Sequence, residues 1–131
     1  MAAFNLTVVT PTGAVIDSEI DEATLPGAQG EFGVLPNHRP ALMMLGGGSL
    51  RYIGPAGSGQ VLIRGGVAEI RPDAILVLTD RAEKPDEVDR VEAQAILDAS
   101  NAIQEGGVIL DDAAILKRAS ERGYAEAVLK L

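Results

Sequence analysis

A β-sandwich followed by two antiparallel α-helices is the fold class this sequence predicts, and three observations predict it. Between residues 4 and 80, short alternating or aliphatic runs are separated by turn signals. After residue 84 the apolar period lengthens to three and four. Hydrophobic residues make up 47% of the 131 but aromatics only 3%, so the interior is built from Val, Ile, Leu and Ala. The length suits one domain with a small appendage, and the change of period divides it into residues 1–84 and 85–131.

The first run, Phe4 to Thr10, alternates apolar and polar and stops at the turn Pro11-Thr12-Gly13. Ala14 to Ile16 and Ile20 to Leu25 continue the strand pattern. Leu25 to Pro40 then gathers Pro26, Pro36 and Pro40, Gly27, Gly30 and Gly33, and the chain's only histidine, His38. Pro26-Gly27 fits the centre of a type II turn, because proline presets φ and glycine accepts a positive one. Gly30 and Gly33 bracket Glu31-Phe32, so a sharply bent loop presenting an acid and an aromatic is expected. Ser49 to Ile53 alternates again, Gly54 to Gly59 reads as a hairpin connection, and Gln60 to Arg64 and Ala74 to Thr79 as short strands around the turn Arg71-Pro72-Asp73. Gly46-Gly47-Gly48 and Gly65-Gly66 lie beside strands with no Lys-Ser/Thr after them, which points to bulges, turns or close backbone approach and not to a phosphate loop.

Pro85 closes the strand region, and Asp86 is the expected N-cap of the first helix, with Glu87 and Asp89 in its opening turn. Val88, Val91, Ala95, Ala99 and Ala102 form its apolar stripe, and it ends near Gly106-Gly107. The second helix starts after Asp111-Asp112, with Leu116, Ala119, Gly123, Ala127 and Leu131 along one side. Facing small residues let two backbones approach closely but bury little apolar area. A hairpin that packs on the sandwich and detaches at modest cost is expected, with a fixed helical cap as the alternative.

A formal charge of −8 argues against nucleic-acid binding, which needs a basic stripe, and against a basic helix lying on anionic lipid. Zero cysteines exclude disulfide and thiolate chemistry, and one histidine without cysteine is a poor metal set. Met1-Ala2-Ala3-Phe4 lacks a signal-peptide core, and no apolar run approaches the ~20 residues that span a bilayer. Membrane association is therefore expected only through a partner. Glu31 and His38 are suited to acid–base work, but no serine or cysteine nucleophile stands near them, so a docking loop is the favoured reading. Asn5-Leu6-Thr7 has the form of a glycosylation acceptor but falls within a strand pattern and is read as chance.

Leu25-Pro26-Gly27 through His38-Arg39-Pro40, then Gly48-Ser49-Leu50-Arg51-Tyr52, then Gly65-Gly66-Val67-Ala68-Glu69-Ile70, resembles the epsilon subunit family of F-type ATP synthases, whose mitochondrial counterpart is called delta. The resemblance covers the whole chain and is carried by several motifs in order. It implies a flattened β-sandwich with a C-terminal helical hairpin, acting as a non-catalytic subunit of the central stalk. Such a subunit binds the gamma subunit and the c-ring and couples proton-driven rotation to ATP synthesis. No cofactor is expected, and the alpha/beta catalytic head is a further candidate partner. By this resemblance Glu31, Phe32, His38 and Arg39 are candidate c-ring contacts, and Leu42, Met43, Met44 and Leu45 are candidate gamma contacts. A Met start without a transit peptide favours the cytoplasmic face of a bacterial inner membrane.

Some relatives bind ATP on the hairpin through an aliphatic residue, Asp, two free positions and Arg-Ala. The matching residues here are Val88-Asp89-Arg90-Val91-Glu92-Ala93, with Glu92 in the arginine position. An acid there repels phosphate, which weighs against an ATP-responsive regulatory module, the alternative function. Relatives also block rotation through basic residues on the last helix, for which Lys117, Arg118, Arg122 and Lys130 are the candidates.

Overall fold

The computed structural model describes residues 4–106 and 111–131. Within them β1 (Phe4–Thr10) pairs antiparallel with β2 (Gly13–Ile20) and parallel with β7 (Ala74–Leu78). The long strands β5 (Ala41–Gly54) and β6 (Gly57–Arg71) form one hairpin, with β7 on the far side of β6 and β3 (Glu22–Gly27) beside β5. β4 (Gly30–Val34) lies outside β3, and β8 (Ala82–Glu83) adds to β6 at Leu62 and Ile63.

The β5–β6 hairpin belongs to both layers of the sandwich. Its Val67–Arg71 portion bonds β7, whereas Leu62 and Ile63 bond β8. The glycine runs mark the crossing: Leu45 pairs with Gly66 and Gly47 with Arg64. Gly66 has φ 140°, and a Cβ there would strike the Leu78 carbonyl, so only glycine lets the strand turn this corner. The expectation of short strands at Ser49–Ile53 and Gln60–Arg64 is corrected accordingly, because glycines that look like strand ends are bends inside longer strands.

Alternation sends one set of side chains into a single core. Leu6 and Val8 of β1, Ile75 and Val77 of β7, Ala68 and Ile70 of β6, and Leu25, Val34 and Leu50 of the second layer are all buried. Proline at Pro26 does not form a turn centre, which corrects that expectation. Pro26 and Gly27 lie in β3, paired with Glu31 and Gly30, and the turn falls at Ala28-Gln29. The β3–β5 register breaks between Thr24 and Gly27, so the missing proline N–H costs no ladder bond.

α1 (Arg90–Gly106) and α2 (Asp112–Leu129) follow. Asp86 is not the cap of α1. Lys84 and Glu87 close a turn by two hydrogen bonds, of 2.9 and 3.0 Å. Asp89 caps instead, its Oδ1 accepting from the backbone of Val91 and Glu92 at 2.9 and 3.1 Å. Asp111 caps α2 by accepting from Ala114 N at 2.8 Å. α1 runs to Gly106 as expected, and Gly107 lies outside the described residues.

Both helical stripes are rotated from the expected ones, with Val88, Gly123 and Ala127 the members that still pack inward. Val91, Ala95, Ala99 and Ala102 are exposed, and Ala93, Ile96 and Leu97 face inward. On α2, Leu116 is 60% exposed, while Tyr124, Ala125 and Val128 are buried. The larger side chains bury more apolar area per turn than an alanine row and so choose the face. These residues form a second cluster with Leu62, separate from the sandwich core.

Candidate functional site

The expected c-ring contacts lie on β4 and the segment after it. Glu31 is exposed and pairs with Arg51 at 2.9 Å. Phe32 is half-buried against the main core. His38 is half-buried, and its Nδ1 donates to the Arg39 carbonyl at 2.7 Å, while Arg39 is exposed. Glu31 and His38 thus hold separate partners, and the acid–base pair is not assembled.

The expected gamma contacts divide by strand alternation. Leu42 and Met44 point outward, 74% and 64% exposed. Met43 and Leu45 point into the core. Register extends the outward set. Met44 lies opposite Val67, Val67 opposite Leu78, and Leu78 opposite Val9, an apolar row across β5, β6, β7 and β1. A neighbouring row carries Leu42, Glu69, Leu76 and Thr7. Val9, Val67 and Leu78 were not anticipated. The signal was present as alternation in Val67 to Ile70 and Ala74 to Leu78, but assigning a face requires knowing which set is inward.

The hairpin meets the sandwich at the corner of β5 and β6. A Cβ on Gly47 would overlap the Ser120 carbonyl, and one on Gly123 would overlap the Gly47 carbonyl, so the two backbones touch directly. Gly123 therefore serves contact with the sheet. Beside it, Arg64 lies over the Tyr124 ring, 4.1 Å from the centroid. Arg64 donates to Glu92 Oε1 at 2.6 Å and lies 3.7 Å from Glu83. The Tyr124 hydroxyl donates to Glu83 at 2.6 Å, and Arg81 approaches Glu83 and Glu92 at 3.6 and 3.7 Å.

Burial pushes the Tyr124 hydroxyl above the ordinary tyrosine value, its bond to Glu83 adds to this, and Arg64 opposes it. Burial works against the charge of Arg64, but its bonds to Glu92 and Tyr124 outweigh that and hold its pKa up. This cluster was not anticipated either. Its one sequence signal was Tyr124, the sole aromatic beyond residue 85.

The four basic candidates are placed unequally. Lys117 and Lys130 are exposed, and Arg118 is half-buried. Arg122 bonds Glu126 at 2.9 Å and reaches Asn101 and Ser100 on α1 at 2.8 and 3.3 Å. Arg90 turns to the end of α2, donating to the Val128 and Leu131 carbonyls at 3.2 and 3.3 Å. Among the described residues, no helix is long and apolar enough to cross a membrane.

A family profile described as ATP synthase, Delta/Epsilon chain, beta-sandwich domain, matches residues 3–85. The chain is 37% identical over 101 residues to the ATP synthase epsilon chain of Herpetosiphon aurantiacus, covering 76% of this chain and 74% of that one. It is 34% identical over 127 residues to the epsilon chain of Dehalococcoides mccartyi strain BAV1, covering 93% and 91%. Among solved structures, a chain of the Euglena gracilis mitochondrial ATP synthase, OSCP/F1/c-ring in rotational state 1, superposes with a TM-score of 0.70 at 22% identity. That match covers 100% of this chain and 78% of the other, and at this identity it speaks for the fold.

Proposed function

The chain belongs to the ATP synthase delta/epsilon family, and from that premise we propose that it is a non-catalytic rotor subunit coupling c-ring rotation through gamma to ATP synthesis. The observation that carries this reading is the outward apolar row of Met44, Val67, Leu78 and Val9, with Leu42 beside it. Exposed apolar rows of this breadth on a sheet suit a protein interface. A joint that bears torque needs an apolar contact on a rigid element more than a ring of rim charges. The row stands on four bonded strands over a continuous core, which supplies that rigidity. Gamma is its proposed partner. Leu42 and Met44 make the contact, and Met43 and Leu45 support it from the core side.

The c-ring is assigned to Glu31, Phe32, His38 and Arg39. Phe32 anchors this segment to the core, and Glu31 and Arg39 remain exposed for polar groups of the ring. When the hairpin leaves the sandwich, Lys117, Arg118 and Lys130 are the cations offered to an acidic surface of the alpha/beta head. Arg122 joins them only by giving up its bonds to α1 and Glu126. The proposed location is the cytoplasmic face of a bacterial inner membrane, held there by the complex.

Reconstitution tests the proposal. Membranes whose ATP synthase lacks this subunit should regain proton-coupled ATP synthesis when the chain is added back, and Met44→Asp should fail to restore it. Full coupling without the chain would overturn the reading.

A further inference from the structure

We propose that Arg51 is the positioning residue of the contact assigned to Glu31, and that the partner surface facing this pair offers uncharged hydrogen-bond donors and not a cation. The inference rests on the c-ring assignment made above and adds to it a residue and a chemistry.

Register supplies the first argument. Arg51 on β5 lies opposite Thr24 on β3, and Thr24 lies opposite Gly33 on β4, the edge strand. Glu31 lies opposite Pro26, two residues from Gly33 and so on the same face. Arg51 therefore reaches across a whole strand, about 10 Å between backbones, to bring its Nη2 to 2.9 Å from Glu31 Oε2. A long side chain meets such a diagonal neighbour only where nothing stands between them.

Gly33 keeps that path open. Its φ is not in the left-handed region, and a Cβ there would meet only the Ala23 carbonyl, at 4.0 Å. Neither the backbone nor the packing asks for glycine, and glycine inside a strand weakens it. A side chain at this position would project from the same face as Thr24 and Arg51, into the path of the guanidinium. The ion pair accounts for the glycine.

Glu31 is thus held while its neighbour anchors the strand. Phe32 packs inward against the main core, and Arg51 fixes the carboxylate on the outer face. A glutamate ordered before docking spares its partner the entropy of ordering it. The pair also decides what the partner presents. Arg51 approaches Oε2 and is the one ion-pair partner of Glu31 among the described residues, so acceptor positions remain on the carboxylate. A cation brought to them would stand beside the Arg51 guanidinium and be repelled by it. An amide, a hydroxyl or a backbone N–H meets no such penalty.

Membranes whose ATP synthase lacks this subunit can be titrated with the full chain, reading the concentration that half-restores proton-coupled ATP synthesis. Arg51→Met and Glu31→Gln should each raise that concentration on the order of five- to tenfold, the effect of a charge-assisted contact at a half-exposed site. The double variant should be no worse than either single one. Arg51→Lys, with a shorter reach, should recover only part of the loss. The pair is solvent-exposed, so the Tm of each isolated variant should move by no more than about 4 °C, which separates positioning from folding. Glu31→Gln should also keep the parental dependence on salt, since no cation faces it. Parental titration by Arg51→Met beside a weakened Glu31→Gln, or additive losses in the double variant, would show that Arg51 does not act through Glu31 and overturn the proposal. A flatter salt dependence in Glu31→Gln would overturn its account of the partner. Parental titration by Glu31→Gln itself would overturn the c-ring assignment, and the inference with it.

Discussion

Glu92 on α1, the acid that weighs against phosphate binding there, accepts a hydrogen bond from Arg64 on β6 at 2.6 Å. The acid is therefore a structural partner of a strand residue, and its charge is used inside the chain. Millimolar ATP is expected to leave the Tm of the chain unchanged. Glu92→Ala should destabilise hairpin docking by about 1–2 kcal/mol, at the low end for charged hydrogen bonds because the side chain is about a third exposed. Calorimetric melts with and without ATP check both outcomes.

Gly123→Ala sets helix propensity against docking. The substitution favours an isolated helix by ~1 kcal/mol, but its methyl overlaps the Gly47 carbonyl. Overpacking of this kind costs about 1–3 kcal/mol. Faster amide exchange in α2, with circular dichroism showing undiminished helix, is the expected result.

Alkaline pH should undock the hairpin through Tyr124. Its hydroxyl is held above the ordinary value of 10.0 by burial and by the bond to Glu83, against the opposing pull of Arg64. Arg81 and Glu92 complete the charges around it. A raised pKa in the docked state means that its contribution is complete below pH 10 and is lost as pH climbs through the higher docked value. Spectroscopic titration should find tyrosinate appearing together with α2 exchange, and Tyr124→Phe should remove that coupling.

Alternation on β5 separates stability from binding. Leu45→Ala, at a core position 4% exposed, should cost about 2–5 kcal/mol of sandwich stability. Leu42→Ser and Met44→Ser, on the outer face, should change it by no more than about 0.5 kcal/mol. Binding to gamma should respond in the opposite order, with the outer-face variants weakened most. Denaturant melts and pull-down assays with gamma distinguish the two.

Local pattern carried much of this fold into the sequence. The run from Phe4 to Thr10, a hairpin connection beginning at Gly54 and a second helix opening at the Asp111-Asp112 pair are set by neighbours close along the chain, and they are legible there, although the turn is tighter than Gly54 to Gly59 and Asp111 proves to be the cap. Pro26-Gly27 misled because the strand register, a long-range property, absorbs the proline. The rotation of both helical stripes has the same origin, since Ile96 and Tyr124 are chosen by the surface they meet around Leu62. At the candidate site, Leu42 and Met44 could be named from sequence, but Val9, Val67 and Leu78 join them only through cross-strand register. The Arg64 cluster draws on residues from 64 to 124, and no window along the chain contains it.

The most direct measurement is calorimetric titration of the full chain into a cognate gamma subunit, repeated with Met44→Asp. Tight one-to-one binding by the parent, weakened at least about tenfold by a charge on the apolar row, is the predicted result. Absence of binding by the folded parent chain would contradict the rotor-subunit account, and equal binding by Met44→Asp would contradict its placement of gamma on that row.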